Sequence, residues 1–198
     1  NEVLENQQAT MAAQAEQIDA LIGIRPRIIT ALSSALSSAN LSATVDHSTG
    51  DIVLDSSVLF DTGKSEIRAE GKALLDRFVP VYLNVLLRDE YSAYLGEIII
   101  EGYTDSTGDR YNNLKLSQER ALSVATYILK MPGLTTRQRD LLKSGLLTIT
   151  GRGATGLIYD QYGNEDKEAS RRVEFHFSLK DSEMIDQMNR LLQQTEGD

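Results

Sequence analysis

One stretch constrains this chain more than any other. The apolar run Ile98-Ile99-Ile100 leads into Glu101-Gly102-Tyr103-Thr104-Asp105-Ser106-Thr107-Gly108. Beyond it Leu114, Ala121, Val124, Ala125 and Ile128 recur at helical spacing. The pattern predicts a buried strand from about Gly96 to Tyr103, a turn at Asp105 to Gly108, and a helix from about Asn112 to Lys130. It sets one acid, Asp105, at the mouth of the turn and one base, Arg120, on the following helix. A fixed carboxylate and a fixed guanidinium facing one concavity suit a zwitterionic ligand: the acid takes an ammonium, and the Arg fork takes a carboxylate.

Taken singly, neither residue compels that reading. Asp-x-x-Gly after a strand is ordinary turn chemistry, and an Arg on a helix is usually solvated. Asn112 and Asn113 are candidate helix caps or ligand-bonding amides. Phe60-Asp61-Thr62-Gly63-Lys64 is a second possible rim. Of Arg171-Arg172, one Arg is placed to brace the Asp105 region, or else both keep an edge strand soluble.

Charge and composition narrow the partners. The chain has 198 residues, 41% hydrophobic and 25% charged, as in an ordinary globular domain with an accessory segment. A net charge of −9 argues against nucleic acid and against an anionic membrane surface as the main partner. The absence of cysteine excludes disulfides, thiol catalysis and thiolate metal sites. Catalysis finds no support. His47 and His176 are the only histidines and read as surface or packing residues, and no nucleophile-elbow, P-loop or zinc-protease spacing occurs. Asp105 to Asp109 lacks the alternating acids and terminal Glu of a calcium loop. No enzyme, cofactor or metal is expected. No apolar run reaches the roughly 20 residues of a membrane span. The chain opens on Asn1, not Met, so a preceding segment with a signal or membrane helix is expected.

The remaining elements follow in order. Leu4, Met11 and Ile18 make a heptad-like stripe that needs a partner helix, or else a frayed leader. Gly23 is expected to break it, and Arg25-Pro26 to start a second helix with Ile28, Ile29, Leu32 and Leu36 on one face. Residues 43–47 and 52–54 flank a Gly-containing hairpin turn. Ser65 is the expected cap of a helix carrying Ile67, Leu75, Phe78 and Val79 that Pro80 kinks. Thr135 to Lys143 reads as a short helix, Leu146 to Gly151 as a strand, Glu165 to Ser170 as a helical turn, and Arg172 to Leu179 as the last strand. A charged helix is expected from Ser182. The order predicts an α/β (α+β) sandwich, a mixed sheet covered by helices on one side. Its expected segments are an N-terminal helical linker or dimerisation segment (1–41), a domain (42–180) and a C-terminal helix (181–198).

Four ordered blocks carry a resemblance. Gly102-Tyr103-Thr104-Asp105-x-x-Gly108, Asn113-x-x-Leu116-Ser117-x-x-Arg120-Ala121-x-x-Val124, Gly151-x-Gly153 with Asn164, and Arg171-Arg172-Val173-Glu174 resemble the OmpA-like C-terminal domain. Val58-Leu59-Phe60-Asp61 resembles its opening. The resemblance implies a β-α-β-α-β fold and non-covalent binding of peptidoglycan in the periplasm through the diaminopimelate residue of a stem peptide. Asp105 and Arg120 then grip the zwitterionic end of that residue. Asn113 and Leu116 line the same pocket, and Phe60, Asp61, Thr104 and Arg172 complete the expected set. Within the family the leading helices and the Thr44 to Asp61 region look most like MotB-type wall anchors of stator or related motor complexes. That implies a homodimer, a membrane-embedded motor or channel subunit as partner, and a tether to the inner membrane. Leu86 to Gly96 and Met131 to Leu146 exceed the family core and read as partner surfaces or lengthened helices.

Overall fold

Strand Leu95–Tyr103 (β3) lies next to one edge of a five-stranded sheet in the computed structural model, which describes residues 2–41 and 43–180. Its neighbours are Arg172–Leu179 (β5), antiparallel, and Leu147–Gly153 (β4), parallel. Beyond β5 lie Ile52–Asp55 (β2) and the two-residue strand Thr44–Val45 (β1), giving the order β1-β2-β5-β3-β4. The sheet is mixed because β3 reaches β4 through a helical crossover, whereas β1 and β2 are joined by the Gly50 turn.

Alternation decides which face the helices take. Ile98, Ile100, Val173, Phe175 and Phe177 are buried toward the helices. Glu101, Glu174 and His176 occupy the opposite face, which among the described residues carries charge instead of a second helical layer. Helix Ala69–Leu86 (α3) packs Phe78 against Phe175 in an edge-to-face contact, with ring centroids 4.9 Å apart. Helix Arg110–Lys130 (α5) lies over β3 and β4. It approaches closely because Gly102 and Gly151 have no Cβ: one at Gly102 would stand 2.2 Å from Ser117 O, and one at Gly151 2.5 Å from Gln118 N.

Several local expectations need correction. The leading helix Glu2–Ser38 (α1) is unbroken through Gly23 and Pro26. Proline removes one helical hydrogen bond, and burial of Ile24, Ile28, Ile29, Leu32 and Leu36 outweighs that loss. Pro80 likewise lies inside α3 without ending it. Ser65 is not a cap. Ile67 bridges to Phe60, and α3 starts after Arg68, because the turn through Phe60 to Ile67 closes as its own pair first. Asp109, not Asn112 or Asn113, caps α5, accepting from the Asn112 amide at 3.0 Å. Leu114 faces solvent instead of joining the α5 stripe.

Short helices Ser56–Leu59 (α2), Asp89–Ser92 (α4), Thr136–Leu141 (α6) and Lys167–Ser170 (α7) complete the elements, with a π-helical turn at Leu142–Leu146 after α6. The two long segments are packed structure: Leu86, Leu87, Tyr91 and Leu95 are buried, as are Met131, Leu134 and Leu142. One hydrophobic cluster runs from Ile24 to Leu179, so the second half of α1 shares the core of the sheet. The expected C-terminal helix (181–198) and the side chains of Leu4, Met11 and Ile18 lie outside the described residues. Among the described residues no helix is long and apolar enough to cross a membrane.

Candidate functional site

The loop that ends β3 is held rigid by its own backbone. Thr104 N–H donates to Gly153 O at 2.9 Å, carrying the β3–β4 ladder one residue past the strand. Asp105 Oδ1 accepts from Thr107 N at 2.8 Å, and the Asn113 side-chain amide donates to Asp105 O and Thr107 O at 3.3 and 3.1 Å. Asn113 is buried at the start of α5, so the loop and helix form one unit. Ser117 Oγ, one turn further on, accepts from Gly153 N at 2.9 Å.

Arg120 lies one turn beyond Ser117 and is itself buried. Its Nε donates to Lys64 O at 2.9 Å and its Nη2 to Asp61 O at 3.4 Å. The guanidinium carbon sits 5.1 Å over the Phe60 ring. Two backbone carbonyls and an aromatic face therefore fix the fork, and Nη1 has no partner among the described residues. Burial, together with the like charge of Arg171, lowers the Arg120 pKa, and Asp105 opposes this in part. The guanidinium stays charged at neutral pH.

These groups line one cavity of about 330 Å³. Phe60, Thr104, Asp105, Asn113, Leu116 and Arg120 meet there as expected, joined by Ser56, Thr107 and Arg171. Thr104 Oγ1 and Ser56 Oγ are buried and have no hydrogen-bond partner among the described residues. Asp105 is held in place by Arg171, whose Nη1 donates to Asp105 Oδ2 at 2.5 Å. Burial raises the Asp105 pKa, but the Thr107 amide and Arg171 outweigh it, so the carboxyl titrates below the usual carboxylate range. The cavity thus offers one carboxylate, two guanidiniums and an apolar wall from Phe60 and Leu116.

Two expected residues are placed elsewhere. Asp61 contributes only its carbonyl, while its exposed carboxylate stands 3.5 Å from Arg68. Arg172 is not in the cavity. It stacks 3.9 Å over Tyr103, donates to Gly156 O at 2.8 Å and pairs with Glu174. Of the pair Arg171-Arg172, one of which was expected to brace the Asp105 region, Arg171 is the arginine at the site, not the Arg172 of the expected set. Period-two alternation in β5 held the signal: Arg171 shares parity with Val173 and Phe175 on the helical face, and Arg172 with Glu174 and His176 on the other.

Comparison with known proteins agrees with this architecture. Residues 59–171 match the OmpA family. Zorya protein ZorB of Escherichia coli (strain ATCC 8739) is 36% identical over 142 residues, 67% of this chain and 59% of that protein. The chain spans between half and three-fifths of the length of the two ZorB proteins it matches. Among solved structures, a MotB-like protein from Desulfovibrio vulgaris superposes with a TM-score of 0.58 at 22% identity, over 82% of this chain and 95% of that one. The periplasmic domain of Helicobacter pylori MotB superposes with a TM-score of 0.53 at 18% identity, over 77% and 97%. At these identities the structural likeness establishes the fold.

Proposed function

The chain belongs to the OmpA family, and we propose that it binds peptidoglycan non-covalently and anchors a membrane-protein complex to the cell wall. The observation that carries this reading is the cavity itself. One ionised carboxylate, Asp105, and the forks of Arg120 and Arg171 converge on one space. A zwitterionic amino-acid end satisfies such a set: its ammonium meets Asp105, and its carboxylate meets the open edge of Arg120. The end of a diaminopimelate side chain in a stem peptide has that chemistry. In this reading the chain acts by binding, not by catalysis.

The periplasm is the compartment that holds such a ligand, and a segment preceding this chain would tether it to the inner membrane. The partner would be a membrane-embedded motor or channel subunit, in keeping with the MotB-like fold neighbours. Ala12, Ala15 and Ile22 are exposed on α1, ahead of the buried Ile24, which suits a homodimer formed there. Two pockets on a repeating polymer bind more tightly than one through effective concentration. The organisation into a leading helical segment (1–41), a wall-binding domain (42–180) and a C-terminal extension (181–198) belongs to the same proposal.

Co-sedimentation with isolated sacculi tests it. Each charge-assisted hydrogen bond is worth about 1.5–3 kcal/mol, so Asp105→Ala and Arg120→Ala should each weaken binding at least tenfold with the circular dichroism spectrum unchanged. Variants that pellet like the parent would show that the ligand sits elsewhere.

A further inference from the structure

We propose that Glu101, Glu174 and His176, on the helix-free face of the sheet, bind a divalent first-row transition-metal cation. This site lies on the other face from the wall-binding cavity and does not depend on that reading. Glu101 and Glu174 are direct cross-strand partners in the β3–β5 ladder. Like charges in that position are destabilising unless something joins them. His176 follows two residues after Glu174 on the same face. Its Nε2 stands 2.9 Å from Glu174 Oε2 and 3.1 Å from Glu101 Oε2.

The geometry suits an ion better than a proton. His176 Nε2 is buried, and among the described residues no acceptor, the two carboxylate oxygens included, meets an N–H there in hydrogen-bonding geometry. Both oxygens therefore flank the ring axis. Three ligands about 2.1 Å from one ion, at right angles, stand about 3.0 Å apart and flank the axis in this way. Each ligand is also held from behind. His176 Nδ1 is 2.6 Å from Asp51 Oδ1, which leaves Nε2 to ligate. Arg172 holds Glu174 Oε1, and Arg152 Nε donates to Glu101 Oε1 at 2.8 Å. Tyr103 OH donates to Glu101 Oε2 at 2.6 Å. The two carboxylates are thus oriented by groups on three strands, Arg172 on β5, Arg152 on β4 and Tyr103 on β3. Glu101 is deeply buried, with a side chain 6% exposed, while His176 at 20% leaves an approach for the ion and its remaining waters.

The rival occupant is a proton. Burial lowers the His176 pKa, but Asp51 and Glu174 outweigh it and push the imidazole up to about 10. The same carboxylates attract a doubly charged ion more strongly than a singly charged one, so binding releases the Nε2 proton to solvent as the ion takes its place.

Calorimetric titration of Zn²⁺ into the chelator-dialysed chain tests the site. The expected result is one equivalent bound. His176→Gln and Glu174→Gln should each weaken binding at least tenfold, Asp51→Asn by about tenfold, and Asp105→Ala not at all. Imidazole ¹⁵N resonances give a second measurement on the unmutated chain, where His47 is the only other histidine. Zinc should deprotonate and shift His176 Nε2 and leave His47 unchanged. Absence of stoichiometric binding, full affinity in both ligand variants, or a His176 Nε2 that stays protonated in excess zinc would each overturn the proposal.

Discussion

Arg171 and Asp105 are 66 positions apart in the chain and meet at 2.5 Å, Nη1 to Oδ2, at the wall of the candidate site. The pair ties the start of β5 to the loop that ends β3. It holds the carboxylate toward the cavity and sets a second positive charge beside Arg120. Neighbouring arginines therefore have different expected roles.

Arg171→Ala should weaken sacculus binding about tenfold, the equivalent of one charge-assisted hydrogen bond, with little change in melting temperature because Arg171 is 41% exposed. Arg172→Ala should do the reverse. Its guanidinium is buried against Tyr103 and bonded to Gly156 O and Glu174, and removing it leaves Glu174 without its arginine. A loss of about 3 kcal/mol in urea unfolding, with sacculus binding at the parent level below the transition, is the expected outcome.

Gly102→Ala should disrupt both stability and binding. The added Cβ would meet the Ser117 carbonyl, which is helix backbone and not a side chain that can swing aside. Moving α5 off the sheet also moves Asn113 and Arg120, which the helix carries. A drop of about 3 kcal/mol in unfolding free energy is expected, together with weaker sacculus binding by the folded fraction. Gly163→Ala, at a position outside the cavity where an added Cβ meets nothing within 4 Å, is the control for wall binding despite its positive φ of 82°.

Binding should depend on pH only in acid. The folded pKa of Asp105 is lower than its unfolded one, because the Thr107 amide and Arg171 outweigh burial. The ionised carboxylate and its pairing energy are therefore fully present above the usual carboxylate range and disappear as pH falls through the depressed value. Sacculus binding should be flat from roughly pH 5 to 8, since an ordinary Asp already titrates near 4. A decline that begins near neutrality would point to a different titrating group.

Tyr82→Phe should stabilise the protein. The Tyr82 ring packs on Phe78 and Phe175, yet its hydroxyl is buried with no hydrogen-bond partner among the described residues. Burying an unpaired hydroxyl costs about 1–3 kcal/mol, so its removal should raise the melting temperature by a few degrees in a thermal scan.

Periodicity alone made much of this fold legible. The apolar run at Ile98 to Ile100, the alternation from Arg172 to Leu179 and the stripe from Ala121 to Ile128 fixed two strands and a helix within about two residues, because local side-chain spacing registers which face is buried. Helix ends were less legible. Pro26 and Pro80 look like breaks to local rules, but tertiary burial of the flanking Ile, Leu and Val side chains carries the helix through. The acid and the base that define the site, Asp105 and Arg120, were visible as a strand-end loop and the helix after it.

What the sequence determined by itself was the order of elements, the sheet's buried face and the residue types available for a zwitterion. The tertiary structure decided which groups meet. Arg171 reaches Asp105, and the Lys64 and Asp61 carbonyls reach Arg120, only because antiparallel β2–β5–β3 pairing brings distant segments together. The convergence of Asp51, Glu101, Glu174 and His176 has the same origin. Residues of unremarkable local pattern became one cluster because strand register sets them opposite each other, and register is a property of the folded sheet, not of any one strand.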